Sequence, residues 1–447
     1  MPQSNSQDEL TGAGQGRALA TSTSLKERYI SAITRQDEGK TLTVAGWVHA
    51  FREMGALAFV ILRDGSGKMQ VKIPFKLDQK PERESAIQVR GKVKKDSRAP
   101  GGLELEAEQI TVLGRVYQTP AFYPDQKSEP GLNVRLDNRP LDFRCEKTRA
   151  VFNIRASLES GFREALIALG FEEINPACIV ATATEGGAQL FKLDYFDKPA
   201  FLGQSPQFYK QLAVIGGMER VFMTTPVFRA EKHEGPFHIN EIHQMDMEMA
   251  FATNEDAIAV LSLVFLRMLA RVSEKNAADF KALGKEFRVP AAVPVRTYSE
   301  LVDLLAAGGD RIKFGHDFSK EQEAKICELL KCEALIIRDY PTSVRAFYSM
   351  PYENEPKLCK SYDIIYRGME ICSGAQRIHT PELLEKQIAA RGMNPEYFKS
   401  YTDAFRVGAP PHAGWSIGLD RLTMAVCGLE NIREAIMFPR DKHRMRP

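Results

Sequence analysis

A chain of 447 residues exceeds what one ordinary hydrophobic core holds, so two or three domains are expected and a small peptide scaffold is excluded. The apolar fraction of 44% and charged fraction of 26% are those of globular proteins, and no apolar run approaches the roughly 18 residues that a membrane span needs. A net charge of +2 neither demands nor excludes a nucleic-acid partner, because basic patches can be balanced by acidic surface elsewhere.

The first residues, MPQSNSQDELTGAGQGRALATSTS, have neither an apolar core nor an Arg-rich amphipathic pattern, and residues 1–25 read as a disordered leader. From Thr41 to Val112 short strand-like runs (TLTVAGWVHAF, LAFVILRD, GKMQVKI, AIQVRGKV, LELEAEQITVL) are separated by Gly, Asp, Lys and Pro. Five short strands predict a small barrel over 26–118 with OB-fold dimensions, with a sandwich or SH3-like barrel as alternatives on period alone. The Pro- and Asp-rich stretch Thr119 to Pro140 places a hinge over 119–145.

The second domain, 146–447, opens on Val151, Ile154, Leu158, Phe162 and Leu166 at helical spacing, ending at Gly170 as a helix with a glycine stop should. Strand-like runs (ERVFMTTPVFRA, HQMDMEMAF, CEALIIRDY, RAFYSM, YDIIYRGMEI) then alternate with helical stretches near 255–275 and 381–391, predicting an α+β fold with a large sheet. Seven scattered cysteines (Cys145, Cys178, Cys327, Cys332, Cys359, Cys372, Cys427), odd in number and without a CxxC pair, argue against a disulfide framework or zinc site and fit a cytoplasmic protein.

Neither a GxxxxGK[ST] loop nor a GxGxxG helix opening is present, so a bound nucleotide would be gripped by side chains. Arginine suits that task, since its planar fork pairs with phosphate and stays charged; carboxylates beside it would hold Mg²⁺. Three segments carry such groups: Phe228-Arg229-Ala230-Glu231, Glu370-Ile371-Cys372-Ser373-Gly374-Ala375-Gln376-Arg377-Ile378-His379, and Gly414-Trp415-Ser416-Ile417-Gly418-Leu419-Asp420-Arg421. Together, and in this order, they resemble motifs 2 and 3 and the intervening substrate segment of class II aminoacyl-tRNA synthetases. Gly170-Phe171-Glu172-Glu173-Ile174-Asn175-Pro176 resembles motif 1, whose proline lies at a dimer interface in that family. GWVH, ILRDGSGKMQV, RLDNRPLDFR, ATATEGGAQLF, FLGQSPQFYKQ and NIREAIMFPRD narrow the resemblance to the archaeal-type aspartyl branch, over nearly all of Thr41 to Pro447.

That resemblance implies an OB-fold barrel and a catalytic domain on a mostly antiparallel sheet flanked by helices. It implies an enzyme that activates L-aspartate with ATP and passes it to the 3′ end of tRNA. By resemblance, Arg229 binds the substrate carboxylate and α-phosphate, Glu231 the adenine amino group, and Arg421 stacks on adenine and reaches the terminal phosphate. Ala230, Phe237, His238, Ile239, Gly418, Leu419 and Asp420 flank the nucleotide. Glu370 and Ser373, with Asp363, would hold Mg²⁺. Arg377 and Lys210, buttressed by His379, would form a positive pocket for the aspartate side chain, Glu185 would take its ammonium, and Ser205, Gln207, Phe208 and Tyr209 would line the floor with the Gly186-Gly187 turn. The barrel would read the anticodon, with Phe59 as stacking platform and Arg52, Gln70 and Glu104 as polar contacts.

Two departures stand out. The family usually carries an arginine at the position of Phe237, so either ATP affinity is lowered or another cation, such as Lys232 or His233, compensates; a glycine is expected at Ser416. His49 and Pro100 resemble members that accept both tRNA-Asp and tRNA-Asn, which would imply a tRNA-dependent amidotransferase acting on the misacylated product. A strictly tRNA-Asp-specific enzyme, or a synthetase-like paralogue with altered activity, is the alternative. A homodimer follows from Pro176 in the same way.

Overall fold

The computed structural model describes residues 22–55, 57–126, 128–181, 190–232 and 235–446. Most of the expected leader and the Glu185-Gly186-Gly187 turn, with His233, lie outside the described residues. Two compact units divide the chain, Met1–Glu129 and Pro130–Pro447.

In the first unit β1 (Thr41–Met54), β2 (Leu57–Arg63), β3 (Lys68–Ile73), β4 (Ala86–Lys95) and β5 (Leu103–Gly114) close a barrel in the order β1-β2-β3-β5-β4. β3 runs parallel to β5 and the other neighbours are antiparallel, which makes the barrel an OB-fold rather than a sandwich. Strict alternation explains its core. Ala58, Val60, Leu62, Met69, Val71 and Ile73 point inward, while Phe59, Ile61, Gln70 and Lys72 remain partly exposed.

The second unit adds β6 (Glu172–Glu173), β7 (Ile179–Val180), β8 (Lys192–Tyr195), β9 (Lys198–Leu202), β10 (Arg220–Phe228), β11 (Glu241–Ala250), β12 (Val295–Thr297), β13 (Ala334–Arg338), β14 (Ser361–Tyr366), β15 (Met369–Gln376) and β16 (His412–Gly418). Eight of these form one sheet in the order β12-β13-β14-β15-β16-β11-β10-β6, antiparallel except at its two end pairs; β7, β9 and β8 form a small second sheet. Among residues expected as hinge, Leu132–Asp137 and Arg139–Asp142 are helical, and the fully buried Arg139 donates to the carbonyls of Ile436 (2.6 Å) and Met437 (2.8 Å) within the second unit.

Register across the large sheet separates its two faces. Met245, Met247, Trp415, Ile417, Cys372, Ile364 and Tyr362 point to one side and join a core with Val151, Ile154, Leu158, Phe162 and Leu166 of the helix Glu146–Ala168 and with the helix Asn254–Lys275. That first helix stops where expected: Gly170 takes φ +77°, a left-handed turn in which a side chain would be strained. The opposite face carries Asp246, Ser416, Ser373 and Asp363 in register across β11, β16, β15 and β14, with Glu248, Gly414 and Ala375 as the next row. A sheet with one apolar and one polar face directs all its chemistry to the second.

Candidate active site

Asp246 and Glu248 are two apart on β11, so both carboxylates stand on the polar face, fully buried. From beneath, the helix Gln207–Ile215 sends Lys210 into them. Its ammonium donates to Asp246 Oδ1 (2.7 Å) and to the carbonyls of Trp415 (3.1 Å) and Met247 (3.3 Å), with Glu248 Oε2 at 3.5 Å. All three of its donors are thereby used. Arg377, just past β15, donates from Nε and Nη2 to the two oxygens of Glu248 (3.0 and 3.2 Å) and from Nη2 to the Gly414 carbonyl (2.8 Å). Burial pushes Glu248 up, but Arg377 and Lys210 outweigh it and hold the carboxyl below its ordinary range. Gly414 is required here, because any Cβ would strike the Glu248 carboxylate.

This arrangement corrects the expected positive pocket. Lys210 and Arg377 are neutralised by Asp246 and Glu248, so they do not stand as two bare cations. Only Nη1 of Arg377 has no acceptor among the described residues. Ser416, where a glycine was expected, donates its hydroxyl to Asp246 Oδ2 (3.0 Å) and closes the network. Gln207 is tied to Gln211 (2.9 Å) beneath the site, and its N–H donates to Ser205 Oγ (3.2 Å). Phe208 packs away from the sheet, stacked on Tyr401 with centroids 4.0 Å apart, and belongs to a satellite core; Tyr209 is part-buried. His379 does not brace the Arg377 side chain. It lines a cavity of about 680 Å³ with Asp339, Tyr352, Lys360 and Gln376, its Nδ1 buried without a partner among the described residues.

A second cluster surrounds Glu370. Strand alternation would put Glu370 on the face of Cys372, but the pairing of β14 with β15 shifts between Ile364 and Ile365, and this bulge re-aims it. Its carboxyl titrates at about 7, raised by burial and then by Asp363; buried Glu323, which accepts from the Glu370 N–H (3.1 Å), titrates at about 8, raised by burial and then by Glu370. Asp363 is already engaged: Arg345 grips both its oxygens, lies 3.5 Å from the Tyr340 ring centroid, and reaches Ser373 Oγ at 3.5 Å. Of the three expected metal ligands, Asp363 is therefore spoken for by a guanidinium, while no hydrogen bond to the Glu370 carboxylate exists among the described residues. No group of three His, Cys, Asp or Glu side chains poised for a metal occurs among the described residues. One free carboxylate and a hydroxyl fit Mg²⁺, which takes few protein ligands and completes its shell with phosphate and water.

The loop joining β10 to β11 carries the remaining groups. Asn240 ties its ends together, donating from Nδ2 to the carbonyls of Arg229 (2.7 Å) and Glu231 (3.3 Å). Arg229 continues the parity of the polar face, and its guanidinium has no partner among the described residues. Glu231, His238 and Asn240 line a cavity of about 960 Å³ with Arg433 and the segment Asp441 to Arg446. Arg421 donates to the Glu370 carbonyl (3.3 Å). Ala230 is part-buried in the loop, and Gly418 caps the helix that Leu419 begins. Ile239 and Leu419 are buried in the core, as is Asp420, whose carboxylate accepts from Arg155 and from the His243 N–H (2.8 Å); their side chains are structural.

On the barrel, Arg52, Phe59 and Lys72 are register partners across β1, β2 and β3, and Gln70 donates to Glu104 (2.9 Å) across β3 and β5. His49 sits where the β1–β2 pairing shifts; its Nδ1 is 3.2 Å from Arg63, and burial pushes its pKa down. Pro100 opens a single turn, Pro100–Gly102.

Sequence reasoning missed Asp246, Glu248, Arg345 and Glu323. The signal for the first two was present in HQMDMEMAF, where acids alternate with methionines at the period of a half-buried strand.

Two family descriptions match: "tRNA synthetases class II (D, K and N)" over residues 131–442 and "OB-fold nucleic acid binding domain" over 42–113. Proteins named aspartate–tRNA(Asp/Asn) ligase are similar, from Methanocaldococcus jannaschii (41% identity, 94% of this chain and 98% of the relative) and Methanococcus vannielii (40%, 94% and 98%). Among solved structures, asparaginyl-tRNA synthetase from Pyrococcus horikoshii complexed with asparaginyl-adenylate superposes with a TM-score of 0.88 at 32% identity, covering 95% of this chain and 100% of that one. Aspartyl tRNA synthetase from Entamoeba histolytica gives 0.84 at 31%, covering 95% and 93%. The polar sheet face, the arginines placed on it and these matches lead to one assignment: the chain belongs to the class II tRNA synthetases of the D, K and N group, with an OB-fold domain at its N-terminal side.

Proposed function

We propose that the chain is an aspartate–tRNA ligase that activates L-aspartate with ATP and aminoacylates tRNA-Asp and tRNA-Asn. The observation that carries this reading is Arg377, held along one edge by Glu248 and open at Nη1, on the sheet face that also bears Ser373 and Arg229. A guanidinium edge is the natural partner of a carboxylate. Glu185 and Gln207 are assigned to the rest of the amino acid, with Lys210 as a positioning group that keeps Asp246 and Glu248 in place.

In the first half-reaction an oxygen of the aspartate α-carboxylate attacks the α-phosphorus and the bond to pyrophosphate breaks. Two anions must meet, so Arg229 sits between them and Arg421 holds the nucleotide while Glu231 receives the adenine amino group. Glu370 and Ser373 would hold Mg²⁺, which supplies charge neutralisation on the phosphates when bound. In the second half-reaction a hydroxyl of the terminal tRNA ribose attacks the acyl carbonyl and AMP departs. The barrel's row of Arg52, Phe59 and Lys72, with Gln70 and Glu104, suits splayed anticodon bases. Pro100 and His49 support acceptance of both tRNAs; the product Asp-tRNA-Asn would then pass to an amidotransferase. We assign a homodimer through Pro176 and a cytoplasmic location; no helix among the described residues is long and apolar enough to cross a membrane.

Labelled pyrophosphate should exchange into ATP only when aspartate is present. No exchange, or exchange driven better by asparagine than by aspartate, overturns the reading. Charging of tRNA-Asp and tRNA-Asn transcripts at comparable rates is expected, and a strong preference for tRNA-Asp would restrict the enzyme to one tRNA.

A further inference from the structure

Lys320 is the first residue of the helix Lys320–Leu330, immediately after its cap Ser319. A cation there faces the positive end of the helix dipole. Its ammonium lies 3.8 Å from the centroid of the Phe237 ring. Phe237 belongs to the β10–β11 loop, between Glu231 and Asn240, and packs against the cluster of Ile239, Met424 and Ile432, which fixes the ring. Among the described residues Lys320 has no ion-pair partner. Partial desolvation and then the charge of Arg421 push its pKa below the usual lysine value, against the pull of Glu323, Glu321 and Glu231. Arg421, Glu231 and Lys320 therefore share one electrostatic neighbourhood.

No ion pair within the fold holds this charge among the described residues. The helix dipole and Arg421 oppose it, while the aromatic face and the carboxylates of Glu323, Glu321 and Glu231 favour it. What the ammonium lacks among the described residues is a carboxylate in direct contact. We propose that Lys320, braced on the Phe237 ring, is the cation that receives the terminal phosphates of ATP in this chain. The proposal rests on the reading of the site as an ATP site. It also accounts for Phe237: where an arginine was expected, an aromatic face supports a lysine delivered from a different segment. An ammonium is a compact charge suited to polyphosphate, and the ring restrains its flexible stem. Lys232, the neighbouring candidate on the Phe237 loop, is exposed as Lys320 is, but no ring or ion pair aims it among the described residues.

The test is equilibrium binding of ATP, pyrophosphate and AMP to the full chain with Mg²⁺, comparing Lys320→Met, Lys320→Arg and the double variant Phe237→Arg/Lys320→Met. Lys320→Met should weaken ATP and pyrophosphate about tenfold while AMP changes by less than twofold, since AMP lacks the phosphates concerned. Lys320→Arg should bind ATP like the parent, and Phe237→Arg should restore most of the loss. Thermal melting should be nearly unchanged in Lys320→Met, because no ion pair is broken. Equal weakening of ATP and AMP, or undiminished ATP binding, overturns the proposal. If Lys320→Met fails to fold, Lys320→Gln is read in its place by the same ATP-to-AMP comparison. Aspartate-dependent exchange by the unaltered chain is scored first: its absence defeats the enzymatic reading, whereas its presence with unaffected ATP binding in Lys320→Met defeats the assignment of Lys320 alone.

Discussion

Replacing Glu248 by Gln tests the buried cluster directly. Glu248 accepts two hydrogen bonds from Arg377 and lies 3.5 Å from the Lys210 ammonium, with no exposed surface. Lys210 and Arg377 are balanced by Asp246 and Glu248, so the amide leaves one uncompensated positive charge in a buried cluster. Breaking a buried pair costs about 3–5 kcal/mol, and the amide retains one acceptor oxygen, so the lower end applies. For a unit the size of Pro130–Pro447, unfolding entropy converts that lower end to a fall of about 4–5 °C in Tm.

The same substitution releases the edge by which Arg377 is oriented. Misplacement of a binding group by about 1 Å costs on the order of 10²-fold in rate, so aspartate-dependent exchange should fall by that order. Because aspartate brings a negative charge to a cluster now in excess of positive, it should protect the variant against heat more than it protects the parent. Melting by calorimetry with and without aspartate, beside exchange kinetics, reads both effects. A Tm within about 1 °C of the parent together with an unchanged KM for aspartate would refute the reasoning, since it would mean that Glu248 does not neutralise these cations.

Gly414→Ala should produce a similar loss of exchange without altering any charge, because the new methyl displaces the Glu248 carboxylate; overpacking should cost about 1–3 kcal/mol, visible in urea melts, and normal activity would contradict it. Without metal or nucleotide, stability should decline with rising pH. Glu370 and Glu323 are raised to about 7 and about 8 in the folded chain, so their contribution is complete below the unfolded carboxyl value and lost as pH rises through 7 and 8. Glu370→Gln should flatten that decline and abolish exchange; an unchanged pH profile in melting experiments would exclude Glu370 as its source. Phe59→Ala should raise the KM for tRNA roughly 5- to 150-fold, the worth of one base stacked on an aromatic ring, and leave pyrophosphate exchange untouched. Equal effects on both assays would show that the barrel was merely destabilised.

Legibility in the sequence followed physical range. The barrel strands and the helix ending at Gly170 were readable because alternation, helical spacing and a left-handed glycine are local properties. Arg229, Glu370, Arg377 and Arg421 were recognisable as motif residues, yet their partners were not. Glu248 meets Arg377 across 129 positions and Lys210 meets Asp246 across 36, separations over which no spacing rule operates. Glu370 shows a different limit: its orientation depends on a register shift in the pairing of two strands, and strand alternation alone assigns it to the wrong face. Asp363 was readable as a carboxylate near Ser373, but the guanidinium of Arg345 that occupies it comes from a turn whose sequence carries no motif.

The neutrality of the Lys210–Asp246–Glu248–Arg377 cluster changes how selection of aspartate must work. Bare cations would have made asparagine costly by leaving charge unpaired, but here each cation has its carboxylate before substrate arrives. On the proposed reading, discrimination would rest on what Nη1 of Arg377 meets. A carboxylate oxygen accepts from it, whereas the amide of asparagine can turn its oxygen toward Arg377 only by directing its NH₂ elsewhere in the same pocket. Asparagine thus keeps an acceptor for Nη1 but brings N–H donors that need acceptors of their own, and a buried donor left unpaired costs about 1–3 kcal/mol. The close superposition with an asparaginyl structure fits this view, since sheet and helices supply the frame while a few buried partners fix which edge of one guanidinium remains open.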